Sequence, residues 1–230
     1  MKKIYGLLIA LASILSFSSL TKAFDITTFE SDIHVDKNQS VTITESITAD
    51  FTKDPHHGIF RFIPNDEKKY PIELLSVTDE NTQPLHYENF SKDGDLNIKI
   101  GNADILIEKP VTYKITYRFK NILQDLKDKK QLYLNITGND WDIPIKETNA
   151  TITLPIETQD IKTTCFTGTP ESKDKNCSTD VKNNRVKITT KTLEPGEGLS
   201  IMVDVPETYF EKNDEKSFWQ IFLQALFNLL

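Results

Sequence analysis

VTITESITADF, residues 41–51, alternates apolar and polar side chains with one exception. Val41, Ile43, Ile47, Ala49 and Phe51 form one set, and Thr42, Thr44, Ser46 and Thr48 the other. A period of two places such sets on opposite faces of a β-strand, one dry and one wet. The rhythm returns in VTYKITYRF (111–119), ATITLPI (150–156) and LSIMVDV (199–205), and more briefly in LNIKI (96–100), LYLNI (132–136) and VKI (186–188). Turn signals lie between these runs: Asp36 to Ser40, Lys92-Asp93-Gly94-Asp95, Lys109-Pro110, Asn183-Asn184 and Glu194-Pro195-Gly196-Glu197-Gly198. Gly and Asn tolerate the positive φ that tight hairpins need. The pattern predicts an all-β chain, an antiparallel β-sandwich of immunoglobulin-like or larger size. Asn121 to Lys130 is the sole internal helical candidate.

The two ends differ from this body. Lys2 and Lys3 precede an apolar run from Tyr5 to Leu15, and Thr21-Lys22-Ala23 offers small residues at a cleavage site. Residues 1–23 therefore read as a secretory signal peptide. An uncleaved anchor is the competing reading, although the run is short for a bilayer. Residues 24–206 form the expected β-sandwich domain, and 207–217 a charged linker. Residues 218–230, SFWQIFLQALFNLL from Ser217 onward, carry Phe218, Trp219, Ile221, Phe222, Ala225, Leu226, Leu229 and Leu230 at helical spacing. They read as an apolar C-terminal helix, either a truncated membrane segment, an interfacial helix, or a helix docked on the domain. The expected location is the periplasm or the extracytoplasmic face of a membrane.

Charge narrows the partners. The chain holds 27 Lys and Arg against 34 Asp and Glu. Only Arg61, Arg118 and Arg185 are arginines. An acidic, arginine-poor body repels nucleic acid and anionic lipid, so neither is an expected partner of the folded part. Cys165 and Cys177, the two cysteines, close a polar loop and read as a disulfide in an exported chain. A zinc site would need a second pair of ligands nearby.

The exception in residues 41–51 is Glu45, which falls on the apolar parity. A buried carboxylate needs a partner. Arg61, carried back by the turn in DPHHGIFRFIP (54–64), is the natural one. A bulge turning Glu45 to solvent is the competing reading, and a functional acid a third. His56 and His57 are adjacent, so on a strand they would point apart and ligate one metal poorly. They read as part of a solvated turn. In LNITGNDWDIPI (134–145), Trp141 lies between Asp140 and Asp142. This reads as a buried Trp beside a turn, or as a sugar-stacking ring with carboxylates; glycosidase acids, however, stand roughly 5–9 Å apart across a sugar. No nucleophile elbow, phosphate loop or metalloprotease helix motif occurs. The expectation is a non-enzyme without cofactor or metal. Asn38, Asn89, Asn135, Asn149 and Asn176 begin Asn-x-Ser/Thr triplets, the basis of a third reading as a eukaryotic secreted glycoprotein.

These stretches also carry a resemblance. Val41 to Glu45, His57 to Arg61 and Thr137 to Trp141, in that order and followed by LEPGEGLSIMVDVP, resemble the N-terminal region of a bacterial predicted-membrane-protein family, domain of unknown function 2207. The resemblance spans Phe24 to Pro206 and makes Glu45 and Arg61 motif positions. It implies an extracytoplasmic β-rich module ahead of transmembrane helices, and no reaction, substrate or cofactor. The chain departs from the family's plan by stopping at its first C-terminal apolar segment. The expected role is a binding or structural module that contacts an envelope protein or membrane component. The alternative is an envelope glycan-binding or glycan-active protein using Trp141 with Asp140 and Asp142. His56 and His57 complete the candidate ligand surface.

Overall fold

The computed structural model describes residues 24–64, 70–92, 94–157 and 160–211. In chain order its strands are β1 (Asp25–Val35), β2 (Val41–Asp50), β3 (Gly58–Ile63), β4 (Ile72–Asp79), β5 (Tyr87–Lys92), β6 (Asp95–Gly101) and β7 (Pro110–Phe119). They continue with β8 (Gln124–Leu126), β9 (Lys129–Asn135), β10 (Thr148–Thr153), β11 (Lys162–Gly168), β12 (Cys177–Lys182), β13 (Arg185–Thr190) and β14 (Gly198–Pro206). The strands form three sheets, ordered β12-β13-β10-β1-β2-β7-β4, β11-β14-β9-β8 and β3-β6-β5.

The alternation in residues 41–51 appears directly as burial: every second residue of β2 is buried and the rest are half-buried. On the wet face, Thr44 bonds Thr116 and Thr48 bonds Thr112, hydroxyl to hydroxyl across β2 and β7. On the dry face, Ile33, Ile43, Ile47, Ile115 and Ile152 join Ile98 and Ile100 of the three-stranded sheet and Leu132, Ile201 and Val203 of the four-stranded one in a single core. All three sheets thus share one hydrophobic interior.

Two expectations change. The large sheet is mixed rather than antiparallel, because β1 and β10 pair in parallel, Phe29 opposite Thr148 and Ile33 opposite Ile152. Half-buried strands alternate in either direction, so periodicity could not distinguish the two. The helical candidate 121–130 is instead a hairpin of β8 and β9, with Asp125 opposite Lys130 and their side chains ion-paired. Lys130 also donates to Gln39 at 2.9 Å. Tertiary partners outweigh the short segment's weak helical preference. The C-terminal helix expected at 218–230 and the signal segment 1–23 lie outside the described residues. The last described element is a 3-10 turn, Glu207–Tyr209. No helix among the described residues is long and apolar enough to cross a membrane.

Cys165 on β11 and Cys177 at the head of β12 form a disulfide with Cα atoms 6.2 Å apart. Since β11 and β12 belong to different sheets, the bond ties the edge of one to the edge of another.

Candidate functional site

Glu45 stays on the inward face of β2, fully buried, and meets Arg61 of β3, which is 1% exposed. Arg61 Nε donates to Glu45 Oε2 at 2.7 Å and Nη2 to Glu45 Oε1 at 2.6 Å. Nη1 donates to the carbonyls of Phe62 (2.6 Å) and Thr137 (2.9 Å), and Nη2 to that of Ile136 (3.1 Å). A guanidinium has five N–H donors, and these five bonds use every one. Tyr117 of β7 donates its hydroxyl to Glu45 Oε1 at 2.6 Å. The Arg61 guanidinium also lies 5.4 Å from the Phe29 ring centroid. Strands β2 and β7 belong to the large sheet, β3 to the small one, and residues 136–137 extend β9. One side chain therefore links all three sheets.

The segment after β9 is held just as closely. Thr137 O accepts from Arg61 and from the Trp141 indole Nε1 at 2.9 Å. Leu199 N donates to Thr137 Oγ1 at 2.9 Å, and Gly196 N to Trp141 O at 2.8 Å. Asn139 Nδ2 donates to the carbonyls of Gly168 and Gly196 at 3.1 and 3.0 Å. Stretches scattered along the sequence, around 45, 61, 117, 137 and 196, thus meet in one place. Tyr117 was not singled out in the sequence. Its place on the inward parity of β7 was a signal, since a buried tyrosine hydroxyl seeks a partner.

The turn before β3 is set by a glycine pair. Gly58 faces Gly101 across the β3–β6 ladder, with φ of 146° and 133°. A Cβ on Gly58 would stand 1.8 Å from the Ile100 carbonyl oxygen, and one on Gly101 1.9 Å from that of His57. Only glycine allows this approach. The two histidines sit just ahead. His56 exchanges two backbone hydrogen bonds with Ile107 (3.2 and 2.8 Å), and its ring lies against Phe51 and Phe24 at 5.7 and 4.7 Å. His56 is therefore half-buried rather than loose in solvent, whereas His57 is exposed. His56 Nδ1 donates to Asp54 O at 3.0 Å and His57 Nδ1 to Ile105 O at 2.9 Å. A carbonyl only accepts, so both rings carry a proton on Nδ1. Among the described residues, no three His, Cys, Asp or Glu side chains gather as metal ligands.

The turn and the loop after β9 border one mainly apolar groove of about 600 Å³. His56, His57 and Phe60 contribute from one side and Asp140, Trp141 and Asp142 from the other, with Phe62 and Lys99 also in its wall. The structure thus brings the five residues of the candidate ligand surface together. Their roles differ from a sugar-stacking arrangement, however. Trp141 is 7% exposed, its indole N–H is engaged, and it packs edge-on against Phe29 at 6.4 Å. The exposed ring is Phe60, half in solvent and stacked on Phe62 with planes 6° apart. Phe62 and Lys99 have no part in the sequence reading of the site, and Phe60 enters it only within the motif His57 to Arg61. Phe60 and Phe62 occupy the outward parity of β3, where apolar residues stand out only once the strand is placed.

Residues 25–205 match the family described as predicted membrane protein (DUF2207), N-terminal domain. The chain belongs to that family. No curated protein matches the DUF2207 chain. Native leukotriene A4 hydrolase from Saccharomyces cerevisiae is similar in fold, with TM-score 0.52 and 11% identity, covering 79% of this chain and 29% of that one. A second structure of the native yeast enzyme gives 0.51 at the same identity and coverage. An M1 zinc metallopeptidase from Deinococcus radiodurans gives 0.42 at 10% identity, covering 77% and 42%. The DUF2207 chain spans less than half the length of each, and for the yeast enzyme, at 11% identity, the likeness is one of fold alone.

Electrostatics in the DUF2207 domain centre on the same cluster. Burial opposes the Arg61 charge, but the Glu45 carboxylate, seconded by its hydrogen bonds, outweighs it and leaves the pKa raised. The Tyr117 hydroxyl is pushed well above the usual tyrosine range, first by burial and then by Glu45. Burial alone pushes Tyr113 up to about 12. Its hydroxyl, on the inward face of β7, has no hydrogen-bond partner among the described residues.

Two outcomes follow for stability. Arg61→Met should cost about 3 to 5 kcal/mol by stranding the Glu45 charge, while Glu45→Met with Arg61→Met should cost less than the sum of the single changes. Urea unfolding of the four proteins measures this, and an Arg61→Met variant of unchanged stability would remove the pair from its central place. Both tyrosines have raised folded-state pKa values, so their protonated forms stabilise the fold fully below a pH of about 10. That contribution is lost as pH climbs through the folded values. The unfolding midpoint should fall from about pH 10 upward, and Tyr113→Phe should reduce that fall while leaving neutral-pH stability nearly unchanged.

Proposed function

We propose that this domain is an extracytoplasmic recognition module, exported by residues 1–23 and held at the membrane by residues 218–230. Its groove beside Trp141 receives an apolar segment of an envelope partner. The three sheets act as a sandwich-like scaffold for that surface. One observation carries the reading: two segments remote in sequence, 54–60, which leads directly into Arg61, and 139–142, whose Trp141 shares the Thr137 carbonyl with Arg61, border one groove. Rigid support beneath an exposed aromatic is what a binding site requires, since ordering costs are met during folding rather than on binding. The wall is mainly apolar, and Phe60 offers a large rigid contact at its rim. The carboxylates of Asp140 and Asp142 support the second reading, a glycan ligand, with Phe60 instead of Trp141 as the stacking ring. The likeness to yeast leukotriene A4 hydrolase supports the scaffold and nothing about substrate.

Trp141 and Trp219 are the two tryptophans, so Trp219→Phe leaves Trp141 as the sole indole reporter in the groove wall. Titration with short Phe- and Leu-containing peptides should change its emission saturably, and Phe60→Ser should abolish the change. A response to soluble peptidoglycan fragments alone would favour the glycan reading, and silence toward both would refute the groove. Separately, cells producing the chain with and without residues 211–230 should retain the first in membranes and release the second. Release of both would remove the tether from the proposal.

A further inference from the structure

Strand β5, Tyr87 to Lys92, ends the three-stranded sheet and is exposed at all six positions. Other sheet edges among the described residues carry devices that discourage further pairing. β4 has a bulge between Leu74 and Ser76, and β8 is three residues long. β11 and β12 are joined by the disulfide, and beside β3 the Phe62 carbonyl is occupied by Arg61. β5 has none of these and presents Tyr87 and Phe90, 39% and 46% exposed.

Its free backbone groups can be assigned. Lys92 faces Asp95 across β5 and β6 with two residues between them. Gly101 N donates to His86 O at 2.9 Å, so 86 and 101 form a bonded pair, and bonded pairs alternate with non-bonded ones along the ladder. Residues 86, 88, 90 and 92 therefore bond toward β6, while Tyr87, Asn89 and Ser91 direct their N–H and C=O groups outward.

We propose that this edge pairs with the β5 of a second copy of the chain, antiparallel and centred on Phe90. In that register Asn89 opposes Ser91 of the other copy in bonded pairs. Phe90 opposes its own counterpart in a non-bonded pair, where side chains approach most closely. Glu88 then faces Lys92 on both sides of the two-fold axis, on the same sheet face as Phe90. YENFSK is thus complementary to itself in charge and in its aromatic centre, as a two-fold interface requires. Two such pairings of opposite charge and one of aromatic rings are the kind that stabilise neighbouring strands. The joined sheet has six strands. The contact is independent of the groove and survives if the groove binds nothing.

The test uses the intact chain, whose cysteines at 165 and 177 are both bonded to each other. In a non-bonded antiparallel pair, Cα atoms stand about 4.5 Å apart, within disulfide reach. Phe90→Cys should form a covalent dimer on mild oxidation. Asn89→Cys should not, because residue 89 lies diagonal to its counterpart, about 7 Å or more away. In the Phe90→Cys background, Glu88→Lys or Lys92→Glu should reduce the dimer several-fold, and the two together should restore it. Absence of a Phe90→Cys dimer, equal dimer from Asn89→Cys, or indifference to the single charge reversals would each overturn the proposal.

Discussion

Arg61 is a permanently charged group placed where water does not reach, and the rest of the domain is arranged to make that tolerable. Its five donors have five acceptors, two on Glu45 and three on backbone carbonyls. Isolated, either charge would cost several kcal/mol through lost hydration. Paired and fully bonded, they instead impose geometry, because a planar fork accepts its partners in few arrangements. An apolar contact could slide by a residue; this one cannot. The choice of arginine therefore reads as a specification of how three sheets meet, with stability supplied by the isoleucine-rich core around it.

The groove follows from that specification. The same guanidinium that fixes β3 also holds the carbonyls of Ile136 and Thr137, and Thr137 in turn holds the Trp141 indole. Turn and loop are thus two hydrogen bonds apart although roughly 80 residues separate them in sequence (His57 to Trp141). Gly58 and Gly101 let the floor close up where any side chain would collide. Both walls of the groove are thus tied by hydrogen bonds to one buried side chain or its immediate neighbours.

Much of this was legible beforehand, for specific reasons. β2, β7 and β14 are long and half-buried, so their alternation is complete, and Glu45 stood out because it broke a regular pattern. Arg61 followed because a buried acid needs a base and the chain has three arginines. What stayed hidden depends on distant neighbours. β5 is exposed on both faces and so has no alternation to read. Parallel pairing of β1 with β10 leaves no mark on either strand. Residues 121–130 contain too few positions for periodicity to outweigh the Asp125–Lys130 pair and the contact with Gln39. The joining of the HHG turn with the NDW loop into one groove is likewise a property of the folded sheets.

The parallel pairing has a temporal meaning as well. β1 begins at Asp25, and its partner β10 ends at Thr153. The centre of the large sheet therefore cannot close until most of the chain is present. The Arg61 cluster has the same requirement, since it draws on residues from 45 to 137. Contacts so distant along the chain slow folding relative to a domain built from local contacts. A polypeptide built this way leaves its central sheet open for as long as its later strands are withheld, and closes it once they arrive.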